Sequence, residues 1–263
     1  MSSTVLTPEL FERRERVFLV LAGVFLCAMT MLNIIGITRF VSLGSLGSWP
    51  ITVAVGVLPY PITFLCTDLV SELYGKKRAN FLVTVGLALN GFILACLWVA
   101  QALPAAAEVP PWQVIQLAQD VGLPDGDRYT QSVELFSLIY ACTSGAVMAS
   151  MVAYVAAQYC DVQLYHFWKK LTNGKHLWLR NNFSTLISQG VDSFMVVAVT
   201  FGAVYLAGEM TTETLLILMA SNYLFKFACA VIDTGPLYIL VAKLRKYLEL
   251  EENEIASYEV AAA

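Results

Sequence analysis

Six long apolar runs separated by short polar stretches dominate the chain. They cover about 17–37, 51–73, 79–101, 132–157, 183–206 and 214–241. A bilayer core of about 30 Å is crossed by roughly 20 residues of α-helix, so each run is long enough to span. The pattern predicts an all-α integral membrane protein with six transmembrane helices, a single transmembrane domain over 1–263. The first run follows "MSSTVLTPELFERRER" and is followed by no small-residue cleavage site, which predicts an uncleaved first helix. The second run is interrupted by Pro59 and Pro61. Two connections are longer than a turn. One, at 102–131, holds "VPPWQVIQLAQDVGLPDGDRYT", read as a short interfacial helix or a solvated loop. The other, between the fourth and fifth runs, carries Tyr165, Phe167, Trp168 and Trp178 among lysines. It predicts a cytoplasmic amphipathic segment in the headgroup layer.

Composition agrees with the pattern. Hydrophobic residues make up 58% and charged residues 14%, against about 25% charged in soluble domains. Mean hydropathy is +0.66. The net charge of −4 says little, because the charges are unevenly placed. Arg13, Arg14 and Arg16 precede the first run. Lys76, Lys77 and Arg78 follow the second, and Lys169, Lys170, Lys175 and Arg180 follow the fourth. Lys243, Arg245 and Lys246 follow the sixth. The other side has Arg39 and Arg128 among acids. Basic residues gather on the cytoplasmic side of short loops, so both termini are expected in the cytoplasm. These clusters flank apolar runs and are no nucleic-acid face. The six cysteines lack CxxC spacing and read as small hydrophobes. His166 and His176 have no second ligand at helical spacing, so no metal and no cofactor are expected.

Ionisable residues inside spans are costly and default to a functional reading. Asp68 lies in the second run, Asp192 in the fifth and Asp233 in the sixth. Counting from the nearest charged or aromatic flank at 1.5 Å per residue, each lies roughly 12–15 Å inside the cytoplasmic end of its helix. Their neighbours are polar too. Asn181, Ser184, Thr185, Ser188 and Asp192 share one helical face with Gln189 at its edge. Asn222, Lys226, Cys229 and Asp233 share another. Such stripes face a bundle interior, either as a substrate site or as interhelical hydrogen-bonding glue. The candidate substrate-binding set is therefore Asp68, Asn181, Ser188, Gln189, Asp192, Asn222, Lys226 and Asp233. Lys226 lies two turns from Asp233 and offers to neutralise it through a bridging side chain or water. Interrupted helices beside such acids (Pro59 and Pro61 before Asp68, Gly235 and Pro236 after Asp233) are a pointer to transporter sites. Glu72, four residues before Lys76, reads as a surface ion pair. No nucleotide-binding glycine loop, HExxH or GxSxG is present, and no enzyme is expected.

Three stretches resemble the queuosine precursor transporter family, also called the vitamin uptake transporter family. They are "PITFLCTDLVSELYGKKRA" (61–79), "DVQLYHFWKKLTNGKHLWLRNNFSTLISQGVDS" (161–193) and "IDTGPLY" (232–238). The resemblance implies a bacterial inner-membrane importer of 7-deazaguanine bases such as queuine and its precursors. Its partners would be a nucleobase-like small molecule and the lipid bilayer, with no nucleic acid. The family fold also resembles the six-helix binding subunits of energy-coupling-factor transporters. Their Ala-x-x-x-Ala docking motif is not matched by Ala22 and Ala28, which implies a self-sufficient carrier. Small residues such as Gly86 and Gly91 admit a homodimer. Other readings are a carrier of another heterocycle or a cation, a membrane scaffold, and a membrane enzyme built on paired carboxylates.

Overall fold

Pro59 and Pro61 decide where the second apolar run becomes helical. In the computed structural model, Pro59 is the N-cap of α2 (Tyr60–Tyr74) and Pro61 sits in its first turn. A proline is tolerated there because its missing N–H would find no helical partner anyway. The residues before it turn away from the helix. Trp49–Ala54 form a strand, β2, antiparallel to β1 (Phe40–Leu46), with Val41 opposite Val53 and Leu46 opposite Trp49. The expectation of one helix over 51–73 is thus corrected. Ile51, Thr52 and Val53 are β-branched or strand-tolerant, and a short apolar run does not distinguish strand from helix by its period. A register shift between Ser42 and Ser45 and left-handed backbone at Gly44 and Gly47 bend the hairpin.

The structure describes residues 7–47, 49–104, 110–123, 127–171, 177–251 and 254–256. The long helices are α1 (Pro8–Ile35), α3 (Lys76–Ala102), α4 (Leu135–Leu171), α5 (Leu177–Leu206) and α6 (Thr212–Tyr247). Among the described residues, these five are long and apolar enough to cross a membrane, whereas α2 has 15 residues. The chain is a mostly helical, multi-pass membrane protein. It divides into two compact units. One comprises Met1–Met31, Pro59–Leu89 and Ala228–Ala263, the other Leu32–Leu58 and Asn90–Phe227.

In the first unit, α2 and α3 are joined by Gly75 alone, at φ 83°, a conformation costly for a residue with a Cβ. The core packs Phe25, Cys66, Val70, Leu73, Leu82 and Leu248 together. Its polar seam is Arg14, 2% exposed, which donates to the Leu248 carbonyl at 3.1 and 3.3 Å and to that of Glu249 at 3.4 Å. The Tyr74 hydroxyl donates to the Arg14 carbonyl at 2.8 Å, and the Ala256 amide to Leu73 at 2.7 Å. The segment after α6 therefore folds back over the start of α1 and the end of α2. Glu72 takes its partner here: Arg245 Nη2 donates to it at 2.8 Å. The cation comes from α6, where a pair with Lys76 was expected; the Lys76 side chain lies outside the described residues.

In the second unit, the end of α1 crosses the turn at Val55–Val57 backbone to backbone. A Cβ on Gly56 would meet the Leu32 carbonyl at 2.6 Å and Gly36 Cα at 2.7 Å, so only glycine fits, and its N–H donates to Gly36 at 2.9 Å. Asn33 and Asn90, both buried, link α1 to α3 at 2.9 Å, and Ser150 of α4 donates to Asn33 at 3.2 Å. Pairing satisfies amides that a membrane interior would otherwise penalise. The 103–134 connection holds a 3-10 turn (Pro111–Gln113), not a longer interfacial helix. It adds two small ribbons, β3 (Val114–Gln116) with β6 (Ser132–Glu134), and β4 (Val121–Gly122) with β5 (Arg128–Tyr129). Arg128 pairs with Glu209 in the turn between α5 and α6. The stretch expected to lie flat in the headgroups is helical up to Leu171 and again from Leu177. Residues 172–176, with the side chains of Tyr165, His166, Trp168 and Trp178, lie outside the described residues. Cys66 and Cys229 are buried as expected, whereas Cys27 and Cys96 lie on the helix surface.

Candidate functional site

The candidate residues divide between the two units. The first unit holds Asp68 and Asp233. The second holds Asn181, Ser188, Gln189, Asp192, Asn222 and Lys226. The Asn181 side chain falls outside the described residues.

Within the second unit, α5 and α6 meet through a buried charge pair. Lys226 Nζ donates to Asp192 Oδ2, with the two side chains 4% and 16% exposed. The lysine was expected to act on Asp233, and the partner differs for a geometric reason. Seven residues of helix put Asp233 about 10.5 Å along the axis from Lys226, too far for direct contact. Asp192 instead approaches from the neighbouring helix. Tyr223, one turn from Lys226, fastens the same seam: its ring lies 3.7 Å from where a Gly190 Cβ would sit, and its hydroxyl donates to the Leu186 carbonyl at 3.4 Å. Glycine at 190 lets the two helices close on the tyrosine. Ser188, buried one turn before Asp192, and half-buried Gln189 are both engaged in further polar or packing interactions.

The opposite flank of α6 is tied to the hairpin. The Thr52 amide of β2 donates to Ser221 Oγ at 3.2 Å, and Ser221 is 5% exposed. Asn222 lies between these attachments, 7% exposed. Sequence reasoning selected Asn222 and Lys226, left Tyr223 unselected beside Tyr60, Phe64 and Trp98 as a candidate stacking aromatic, and missed Ser221 and Gly190. Tyr223 is one of several aromatics with no local signal to single it out, and Gly190 gains meaning only from the ring opposite.

Within the first unit, Asp68 lies on the exposed surface of α2 and Asp233 on α6, near enough for their like charges to interact. Asp233 is half-buried, and its Oδ2 is sealed without a hydrogen-bond partner among the described residues. A carboxylate oxygen left so is costly. Pro236 lies inside α6 three residues on, where it frees a backbone carbonyl.

A multi-pass helical membrane protein with a lysine–aspartate pair enclosed between two of its helices fits the class of membrane carriers. The comparisons agree and narrow the class. Residues 54–241 match the family described as "Putative vitamin uptake transporter", and the chain belongs to that vitamin uptake (queuosine precursor) transporter family. It is 26% identical over 193 residues, 72% of this chain and 71% of the relative, to a "Probable queuosine precursor transporter" of Bacillus subtilis (strain 168). No solved structure matches.

Proposed function

We propose that the protein imports queuosine precursors, 7-deazaguanine bases such as queuine and its biosynthetic precursors, across the bacterial inner membrane by alternating access. The observation that carries this reading is the Lys226–Asp192 pair buried between α5 and α6, on the face of α6 that also holds Asn222. Charge at such depth is retained where a polar solute must be accommodated. The family of this chain and the name of its relative supply the substrate class. The chemistry supports it, since a 7-deazaguanine edge offers adjacent N–H donors that a carboxylate accepts as a bidentate pair. Asp68 and Asp233 are the acids assigned that role. Asn181, Ser188, Gln189 and Asn222 are the further polar residues assigned to substrate contact.

In this reading the run at 51–73 is the second of six crossings. Both termini face the cytoplasm, as the basic flanks indicate. The carrier works as a monomer or homodimer with no energising subunit. Transport, not catalysis, is the work of the site.

Cells that cannot synthesise queuosine, supplied with labelled queuine, test the reading. Expression of this protein is expected to raise uptake clearly above background. Asp68→Asn and Asp233→Asn are each expected to lower it at least tenfold at unchanged membrane abundance, because each removes one bidentate charged contact worth about 1.5–3 kcal/mol. Wild-type uptake at background would remove the substrate. Neutral variants that transport normally would point to a membrane scaffold or to a site elsewhere.

A further inference from the structure

Asn222 is the one candidate residue of α6 that the second unit leaves without a partner. Among the described residues it makes no hydrogen bond, although it is only 7% exposed. Its surroundings are fixed on both sides. Taking Ser221 as 0° and 100° per residue, Asn222 points to 100°, Lys226 to 140° and Tyr223 to 200°. Ser221 is held by the Thr52 amide, and Tyr223 and Lys226 are held by α5. Asn222 therefore looks into the wedge between β2 and α5, one turn from the charge pair and on its face. Its amide is not sealed in. The enclosed orphan atoms among the described residues are Thr143 Oγ1, Ser193 Oγ and Asp233 Oδ2, so the exposure that Asn222 keeps includes its amide group.

An amide in so enclosed yet reachable a position is most stable when a partner takes up both its donor and its acceptor. The neighbouring acid, Asp192, is engaged by Lys226 through Oδ2. We infer that Asn222 is a specificity-determining residue that reads the lactam edge of the transported base, its Nδ2–H donating to the ring oxo group and its Oδ1 accepting the adjacent ring N–H. An amide presents one donor beside one acceptor, which matches a lactam and which a carboxylate cannot reproduce. This inference rests on the substrate class proposed above and assigns the recognition of the oxo oxygen, a task no ionised carboxylate can perform.

The test is ligand binding to purified protein, read as the ligand concentration that half-saturates the rise in melting temperature. The probes are 7-deazaguanine and its 6-thio analogue, which keeps the ring N–H and weakens the acceptor. Wild-type protein is expected to prefer the oxo base about three- to tenfold, the worth of one neutral hydrogen bond. Asn222→Ala is expected to bind both bases equally and more weakly. Asn222→Gln, which keeps the amide, is expected to retain part of the preference, and controls for a general packing defect. If wild-type protein binds neither base, the substrate class falls. If it binds them and Asn222→Ala keeps the full oxo preference, the substrate class stands and the role of Asn222 is overturned.

Discussion

Lys226→Met is expected to destabilise the protein by about 3–5 kcal/mol and to abolish uptake. The lysine side chain is 4% exposed and that of its partner Asp192 16%. Removing one member of a buried pair leaves the other without its counter-charge, a loss of about that size. Asp192→Asn in the same chain is expected to recover most of the stability, because both charges are then gone and the seam held by Tyr223 and Gly190 remains. Uptake is not expected to return, since the site has lost its polarity. Melting of purified protein measures the first effect, and labelled queuine uptake the second. A Lys226→Met protein as stable as wild type would mean that the pair is solvated and carries little.

Arg14→Ala is expected to cost about 2–4 kcal/mol. The guanidinium is buried and donates to the carbonyls of Leu248 and Glu249 just past the end of α6. Truncation leaves these acceptors unsatisfied and opens a void beneath the returning segment. Arg14→Lys is expected to recover less than half, because an ammonium lacks the fork that reaches two carbonyls. Limited proteolysis after α6 and the melting temperature report the effect. Unchanged protease resistance in Arg14→Ala would show that Leu248, Leu250 and Ala256 hold the segment by apolar packing alone.

Much of this was legible in the residues. Five of the apolar runs contain the helices that reach membrane length, since a span of that length has few alternatives in lipid. The second run, 51–73, misled. Its strand half and its helix half are both apolar, and the break is marked by Pro59 and Pro61, whose meaning depends on whether they sit inside a helix or at its start. Helix ends were read short. The ends of α4 and α5 extend through polar sequence up to Leu171 and from Leu177, where hydropathy carries no signal. The acids and amides of the site stand out as polar residues in apolar runs. Their partners do not. Asp192 meets Lys226, Glu72 meets Arg245, and Arg14 meets carbonyls more than two hundred residues away; all are tertiary contacts that no local spacing encodes. The basic residues near the helix ends were legible as topology signals, but Arg14 and Arg245 also bind the returning C-terminal segment.

The most direct test of import is transport by the purified protein alone. Liposomes containing it and preloaded with unlabelled queuine are expected to take up labelled queuine from outside, with Asp233→Asn liposomes at the level of empty ones. Counterflow by the wild-type protein indistinguishable from that of empty liposomes would contradict the account.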